Sequence, residues 1–377
     1  MRTLLIACLL GVPLHAEDAI HAALAAVEPG TPIKTERMTI VPLVRKDPLP
    51  SIGIRGTKPL SFEEPEFPKR QNNVVVRNAG DTPALLLGGT VLEGGRLDRI
   101  VARDHLVAPG KSAEVDTMTA QSDPRRRTAK PFRVDASIAP FYLRARAEAG
   151  GSDSNVRMFI ARWLDFRDEG DRRRSLVAIA NAKRLQEFAV PESMKLNRAA
   201  GVPNVVGGIL AIDGRVQGLM LFGDPTLVYA HMPALIRGST FEAAAIALRA
   251  GAAGVPIPCN GDRAKTAELV AQQAKELLAG LKSARTRRDD AVEGTLGETF
   301  LLRARDGTRA RAVVWNGKLV SLAVFPRDPF RRRLYSPRLR PPSERTPDAE
   351  PEPTPEPERL DGTEINFIDR VTRRRRR

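Results

Sequence analysis

The clearest hydrophobic pattern in the chain is helical. From Asn155 onward, Val156, Phe159, Ile160, Trp163 and Leu164 stand at i, i+3, i+4, i+7 and i+8, the apolar stripe of an amphipathic helix. A second helix is expected over Arg172 to Phe188, packed on the first, with Arg172, Arg173 and Arg174 on its solvated face. A longer one spans Ala264 to Arg285, where Val270, Ala274, Leu277, Leu278 and Leu281 form the buried stripe. A short helical stretch also runs from Asp18 to Val27.

Elsewhere the pattern is that of strands. Between about Thr35 and Thr119, short β-prone runs such as Met38 to Val44, Asn73 to Arg77 and Ala84 to Leu87 alternate with turn signals. Those signals are Asn78 to Asp81, Gly88-Gly89, Gly94-Gly95 and Pro109-Gly110. Val205 to Ile212 and Val216 to Phe222 flank Asp213-Gly214, a dipeptide suited to a type I′ turn, and predict a β-hairpin. Asp306-Gly307 and Asn316-Gly317 divide Thr299 to Phe325 into three antiparallel strands in the same way. Asp224-Pro225 supplies an N-cap and a first-turn proline for a helix to Arg237, with Gly238 as its stop. Ser239-Thr-Phe-Glu242 then reads as the capping box of a further helix ending near Gly251.

Strands grouped at both ends with helices between them predict an α+β fold rather than a doubly wound parallel sheet. The expected organisation is a signal peptide over residues 1–16, a β-rich region over 17–125, a helical connector over 126–200 and an α+β region over 201–330. The two β-containing regions are expected to form one compact unit. Residues 331–377 lose apolar content, carry Pro351-Glu-Pro-Thr-Pro-Glu-Pro357 and end in Arg373 to Arg377, so a disordered tail is expected there.

Arg2, the apolar run from Leu4 to Leu14 and the small residue Ala16 match a secretory signal cleaved after Ala16, which implies export to the periplasm or beyond. Leu5-Ile6-Ala7-Cys8 resembles a lipoprotein box, but cleavage there leaves almost no hydrophobic segment ahead of it. A buried first helix is the structural alternative. Cleavage would leave Cys259 as the single cysteine, which excludes an internal disulfide and suggests a buried thiol. The apolar stretch Val205 to Phe222 holds Asp213 and Arg215 at its centre, so no transmembrane span is expected.

Composition adds a net charge of +15 from 60 basic and 45 acidic residues. Of the basic residues 48 are arginine and 12 lysine, a bias that reads first as a generally basic surface. With aromatic residues at only 5%, stacking platforms for single-stranded nucleic acid are scarce, and nucleic acid is an unlikely partner. Arg373, Arg374, Arg375, Arg376 and Arg377 could dock on an anionic envelope polymer or remain a solvated tail.

Candidate chemistry is narrowed mainly by what is missing. His15, His21, His105 and His231 show no metal-ligand spacing, and neither a metal nor a cofactor is expected. Gly89 to Arg96 superficially resembles a phosphate loop but lacks its Lys and Ser/Thr. The densest polar cluster is Glu93-Gly-Gly-Arg96-Leu-Asp98-Arg99, continued by Arg103-Asp104-His105. Glycines there permit close backbone approach, Arg96 and Arg99 offer planar forks for phosphate or carboxylate, and Glu93 and Asp98 could orient water or ribose hydroxyls. Binding of an anionic ligand is the leading expectation. A turn with salt-bridged strand residues, or a hydrolase acting on a nucleotide-sugar or glycan with Glu93 and Asp98 as acid and base, are the alternatives.

Val76 to Ile100, together with Val205 to Ala245, resembles the family of ADP-ribosylglycohydrolase- and rhodanese-phosphatase-associated protein domains. The resemblance spans about residues 35 to 330, and its matching polar positions are Glu93, Asp98 and Arg99. It departs at Asp116 to Arg125, where a Cys-containing stretch would otherwise continue. Because the family is named for enzymes encoded beside it, the resemblance implies a link to nucleotide or ADP-ribose metabolism and no particular reaction.

Overall fold

In the computed structural model the described residues are 16–66, 73–122, 130–148, 153–164, 174–252 and 263–327. Residues 1–15, where a signal peptide is expected, Cys259 and residues 331–377 with their terminal arginines lie outside them. In chain order come helix α1 (Ala16–Ala25) and strands β1 (Val27–Pro29), β2 (Ile33–Lys34), β3 (Met38–Arg45), β4 (Leu60–Glu63) and β5 (Asn73–Asn78). Strands β6 (Ala84–Leu86), β7 (Thr90–Gly95), β8 (Arg99–Val101), β9 (His105–Val107), β10 (Ser112–Thr119) and β11 (Lys130–Ile138) follow. Helices α2 (Phe141–Glu148), α3 (Asp153–Trp163), α4 (Leu176–Ala180) and α5 (Lys183–Leu196) lead into strands β12 (Val205–Ile212) and β13 (Arg215–Phe222). The C-terminal part holds α6 (Pro225–Ala252), α7 (Arg263–Lys282), β14 (Arg285–Arg288), β15 (Glu298–Arg303), β16 (Arg309–Trp315) and β17 (Lys318–Phe325).

The fold is α+β, with antiparallel ladders throughout its sheets. Nine strands form the larger sheet in the order β1-β3-β12-β13-β17-β16-β15-β14, with β2 added on β3. Strands from residues 27–45 therefore complete a sheet whose remainder comes from beyond residue 204. Side chains alternate across it: Ile209, Ala211, Leu322 and Val324 join a core with α1 and α7. Leu210, Ile212, Val320 and Phe325 face the core built on α6. Cover on both faces explains why β12 is buried at every position and shows no polar alternation.

The second sheet, β11-β7-β8-β10-β5-β4, encloses Phe62, Val74, Val76, Leu92, Val101 and Val115 together with the short pair β6-β9. A third core gathers α3, α4 and α5 around Trp163, which packs on Phe159 and Phe241 with ring centroids 4.2 and 5.3 Å apart.

All three hairpins form as read: Asp213 and Gly214, like Asn316 and Gly317, have positive φ, whereas at Asp306-Gly307 only the glycine does. Three expectations change. Residues 225–252 form one continuous helix, and Gly238 does not stop it. A Cβ at Gly238 would lie 2.0 Å from the Ile138 carbonyl oxygen, so the glycine admits the end of β11, while Ser239 Oγ donates back to the Leu235 carbonyl at 2.9 Å. Arg285 belongs to strand β14 rather than to the preceding helix. Of the helix expected over 172–188, Arg172 and Arg173 lie outside the described residues and the rest falls in two helices, the first capped by Ser175 Oγ accepting from the Ala178 amide at 3.2 Å. Among the described residues no helix is long and apolar enough to cross a membrane.

Candidate functional site

The Glu93–Arg99 segment is the turn joining β7 to β8. Gly94 and Gly95 both have positive φ, and a Cβ at Gly94 would lie 2.4 Å from the Pro131 carbonyl oxygen, where β11 crosses. Asp98 Oδ1 accepts the Gly94 amide at 3.0 Å and Glu64 Oε1 accepts the Arg96 amide at 2.8 Å. Asp98 and Arg99 are buried, Glu93 is half-buried and Arg96 alone of the four is exposed. Burial lowers the Arg99 pKa, against the opposite pull of Glu64 and Asp153.

Arg103, Asp104 and His105 continue into a seam of charge between the second sheet and the larger one. Asp104 accepts from the Gly88 amide and from Ser321 Oγ of β17, each at 2.8 Å. Arg103 bridges Asp116 and Asp289, the latter at 3.0 Å. Arg311 Nε donates to both carboxylate oxygens of Glu148 at 2.8 Å, and its Nη1 donates to Asp289. Burial raises the Glu148 pKa, with Arg311 pulling the other way.

Arg144 lies deeper, buried against Phe141 and Phe325 with its Cζ 4.9 and 5.5 Å from their ring centroids. A Cβ at Gly89 would stand 2.6 Å from its Cγ and Cδ, so Gly89 gives way to this side chain, while Gly88 gives way to the Arg103 backbone. Its pKa is lowered to about 10 by burial, with Asp104 and Glu148 opposing. The buried histidines are inner neutral groups. Burial, then Arg103 and Arg311, lower the His105 pKa to about 3, and burial, then Arg144, lower that of His231 to about 4. Among the described residues no group of three or more His, Cys, Asp or Glu could hold a metal ion.

The seam opens at one end into a cleft of about 440 Å³ whose wall is largely arginine. The registers Arg285↔Arg303 and Arg303↔Arg309 place one arginine on each of β14, β15 and β16 in a single cross-strand row. Arg287↔Leu301 and Leu301↔Arg311 form the neighbouring row on the same face. Phe300, Leu302 and Ala310 point the other way, into the core with α1 and α7. Arg285, Arg287, Arg303 and Arg309 are exposed, line the cleft and make no ion pair with a described residue. Glu148, already engaged by Arg311, forms its inner wall.

Two other concavities carry less chemistry. A cavity of about 570 Å³ lies between the Asp213–Val216 turn and α7, where Asp213 pairs with Arg37 and Asp306 is held by Thr308. A groove of about 270 Å³ beside α1 is mainly apolar. The sequence hides the arginine-walled cleft, because the helical pattern that starts at Ala264 reads on through Arg285, whereas the helix ends at Lys282. Its one local signal is the period-2 spacing of Arg285 and Arg287, and of Arg309 and Arg311, beside hairpin turns.

No curated protein and no solved structure matches the chain. The profile of the ARG and Rhodanese-Phosphatase-superfamily-associated Protein domain matches residues 26–325, from β1 to the end of β17, and the chain belongs to that family.

Proposed function

We propose that the chain is an exported binding protein for an anionic, phosphate-bearing ligand of the nucleotide- or ADP-ribose-like class, held in the arginine-walled cleft. The observation that carries this reading is the set of four exposed arginines on three register-matched strands around one concavity, with no ion pair to a described residue. Guanidinium groups meet phosphate oxygens in bidentate fashion, and a concave wall of one sign raises the local concentration of the opposite charge. Export is supported by the Arg2-led apolar run ending at Ala16.

Binding in the cleft is preferred to a site in the Glu93–Arg99 turn because Asp98 is buried and holds the Gly94 amide, and Arg99 is buried as well. The same engagement of Asp98 argues against its pairing with Glu93 for hydrolysis.

Thermal unfolding tests the reading. At a hundredfold excess over Kd, ADP, ADP-ribose or pyrophosphate should stabilise the parent protein by about 2.7 kcal/mol, or about 5 °C for a chain of this size. The triple substitution Arg285→Ala, Arg303→Ala, Arg309→Ala should abolish that shift, and Arg96→Ala should leave it intact. A shift that survives the triple substitution, or no shift with any of the three ligands, refutes the proposal.

A further inference from the structure

The charge and geometry of the cleft narrow the ligand further, and the argument rests on the anion-binding reading above. Four guanidinium groups face the cleft, while its carboxylate, Glu148, is already neutralised by Arg311. A phosphate monoester brings at most about two negative charges at neutral pH, which leaves two arginines uncompensated beside each other. Arg285, Arg303 and Arg309 stand one per strand, so with strands about 4.8 Å apart their row extends about 10 Å across the sheet. One phosphate meets all three only if the flanking guanidinium groups converge against their mutual repulsion, whereas a linear chain of phosphates lying along the row meets them one by one. Arg287 in the next row closes the side near the sheet edge, since β14 is the outermost strand.

The remaining lining is the side chain of Leu301 with Thr286, Leu302 and Ala310 of the intervening positions, and it holds no aromatic ring to stack a base. A volume of about 440 Å³ suits a small ligand and not a nucleic-acid duplex. We propose that the cleft binds a linear chain of three or more phosphates, read through its charge, whether it arrives as inorganic oligophosphate or as the tail of a nucleoside triphosphate.

Titration calorimetry of the full chain at low salt, with chelator present, tests this with inorganic phosphate, pyrophosphate, tripolyphosphate and ATP. Affinity should rise about tenfold for each added phosphate up to three, one charge-assisted contact at a time. ATP and tripolyphosphate should agree within about threefold, because the adenosine contributes little. Arg303→Gln should weaken tripolyphosphate at least about tenfold and inorganic phosphate much less. Arg303 is exposed, and an unchanged Tm of the ligand-free variant verifies its fold.

Equal affinity for phosphate and tripolyphosphate, both lost in Arg303→Gln, would overturn this inference and leave the anion site standing. ATP binding far tighter than tripolyphosphate would also overturn it, by showing that the nucleoside is read. Absence of binding by all four, or binding indifferent to both Arg303→Gln and Arg309→Gln, removes the inference and the anion-binding proposal together.

Discussion

Replacing Arg311 by leucine isolates the energetics of the charged seam. Arg311 and Glu148 expose only 7% and 6% of their side chains, so solvent screens their pairing little. The substitution leaves Asp289 with Arg103 as a partner but strips Glu148 of both contacts from Arg311 Nε. Removing one member of a buried pair costs about 3–5 kcal/mol, because the remaining charge stays desolvated. The pH dependence gives the diagnostic sign. Burial already raises the Glu148 pKa, and loss of Arg311 removes the main influence that lowers it. A carboxylate whose folded pKa lies above its unfolded value favours the folded state when protonated, so that stability is lost as pH rises through the folded pKa.

Arg311→Leu should therefore be most damaged at pH 7 and should regain ground against the parent as pH falls toward 5. Adding Glu148→Gln should recover a large part of the loss at pH 7. Urea unfolding of the parent, both single variants and the double variant at the two pH values measures this directly. A loss below about 1 kcal/mol, or a double variant no more stable than Arg311→Leu alone, would show that the pair is not the buried, coupled unit described here.

Gly238→Ala should destabilise by about 3 kcal/mol, since its Cβ would stand 2.0 Å from the Ile138 carbonyl oxygen, and thermal unfolding would register it. His105, its pKa lowered from 6.5 to about 3, stays neutral in the fold while the unfolded chain takes up a proton, so stability is full above about pH 6.5 and declines toward about 3. His105→Leu should flatten that decline by about 2 kcal/mol between pH 6.5 and 5 in urea titrations; an unchanged slope refutes the assignment. Asp98→Ala should cost about 1–3 kcal/mol by orphaning the Gly94 amide, whereas Asp98→Asn keeps an acceptor and should cost far less, with ligand shifts unaffected in both.

The hairpins were legible because their determinant is local. Asp213-Gly214 and Asn316-Gly317 adopt positive φ at little steric cost, and that alone turns the chain back on itself. The stripe of Val156, Phe159, Ile160 and Trp163 was equally readable, since one buried face at helical spacing needs no knowledge of what covers it. At Gly238-Ser239 the same local reasoning failed. A glycine and a hydroxyl that end helices elsewhere serve here to let β11 approach and to bond the helix's own carbonyl.

The candidate site divides along the same line. In Glu93 to Arg99 the sequence displayed its charges and its glycines, but not that Asp98 and Arg99 would be buried, because burial is decided by β11 and by the packing around the turn. The chain by itself determined its α+β class, its turns and its excess of arginine. Only the tertiary structure decided which arginines stand together, because Arg285, Arg303 and Arg309 become neighbours through strand register. Register is set by pairing and packing between strands far apart in the sequence, and no local pattern carries that information.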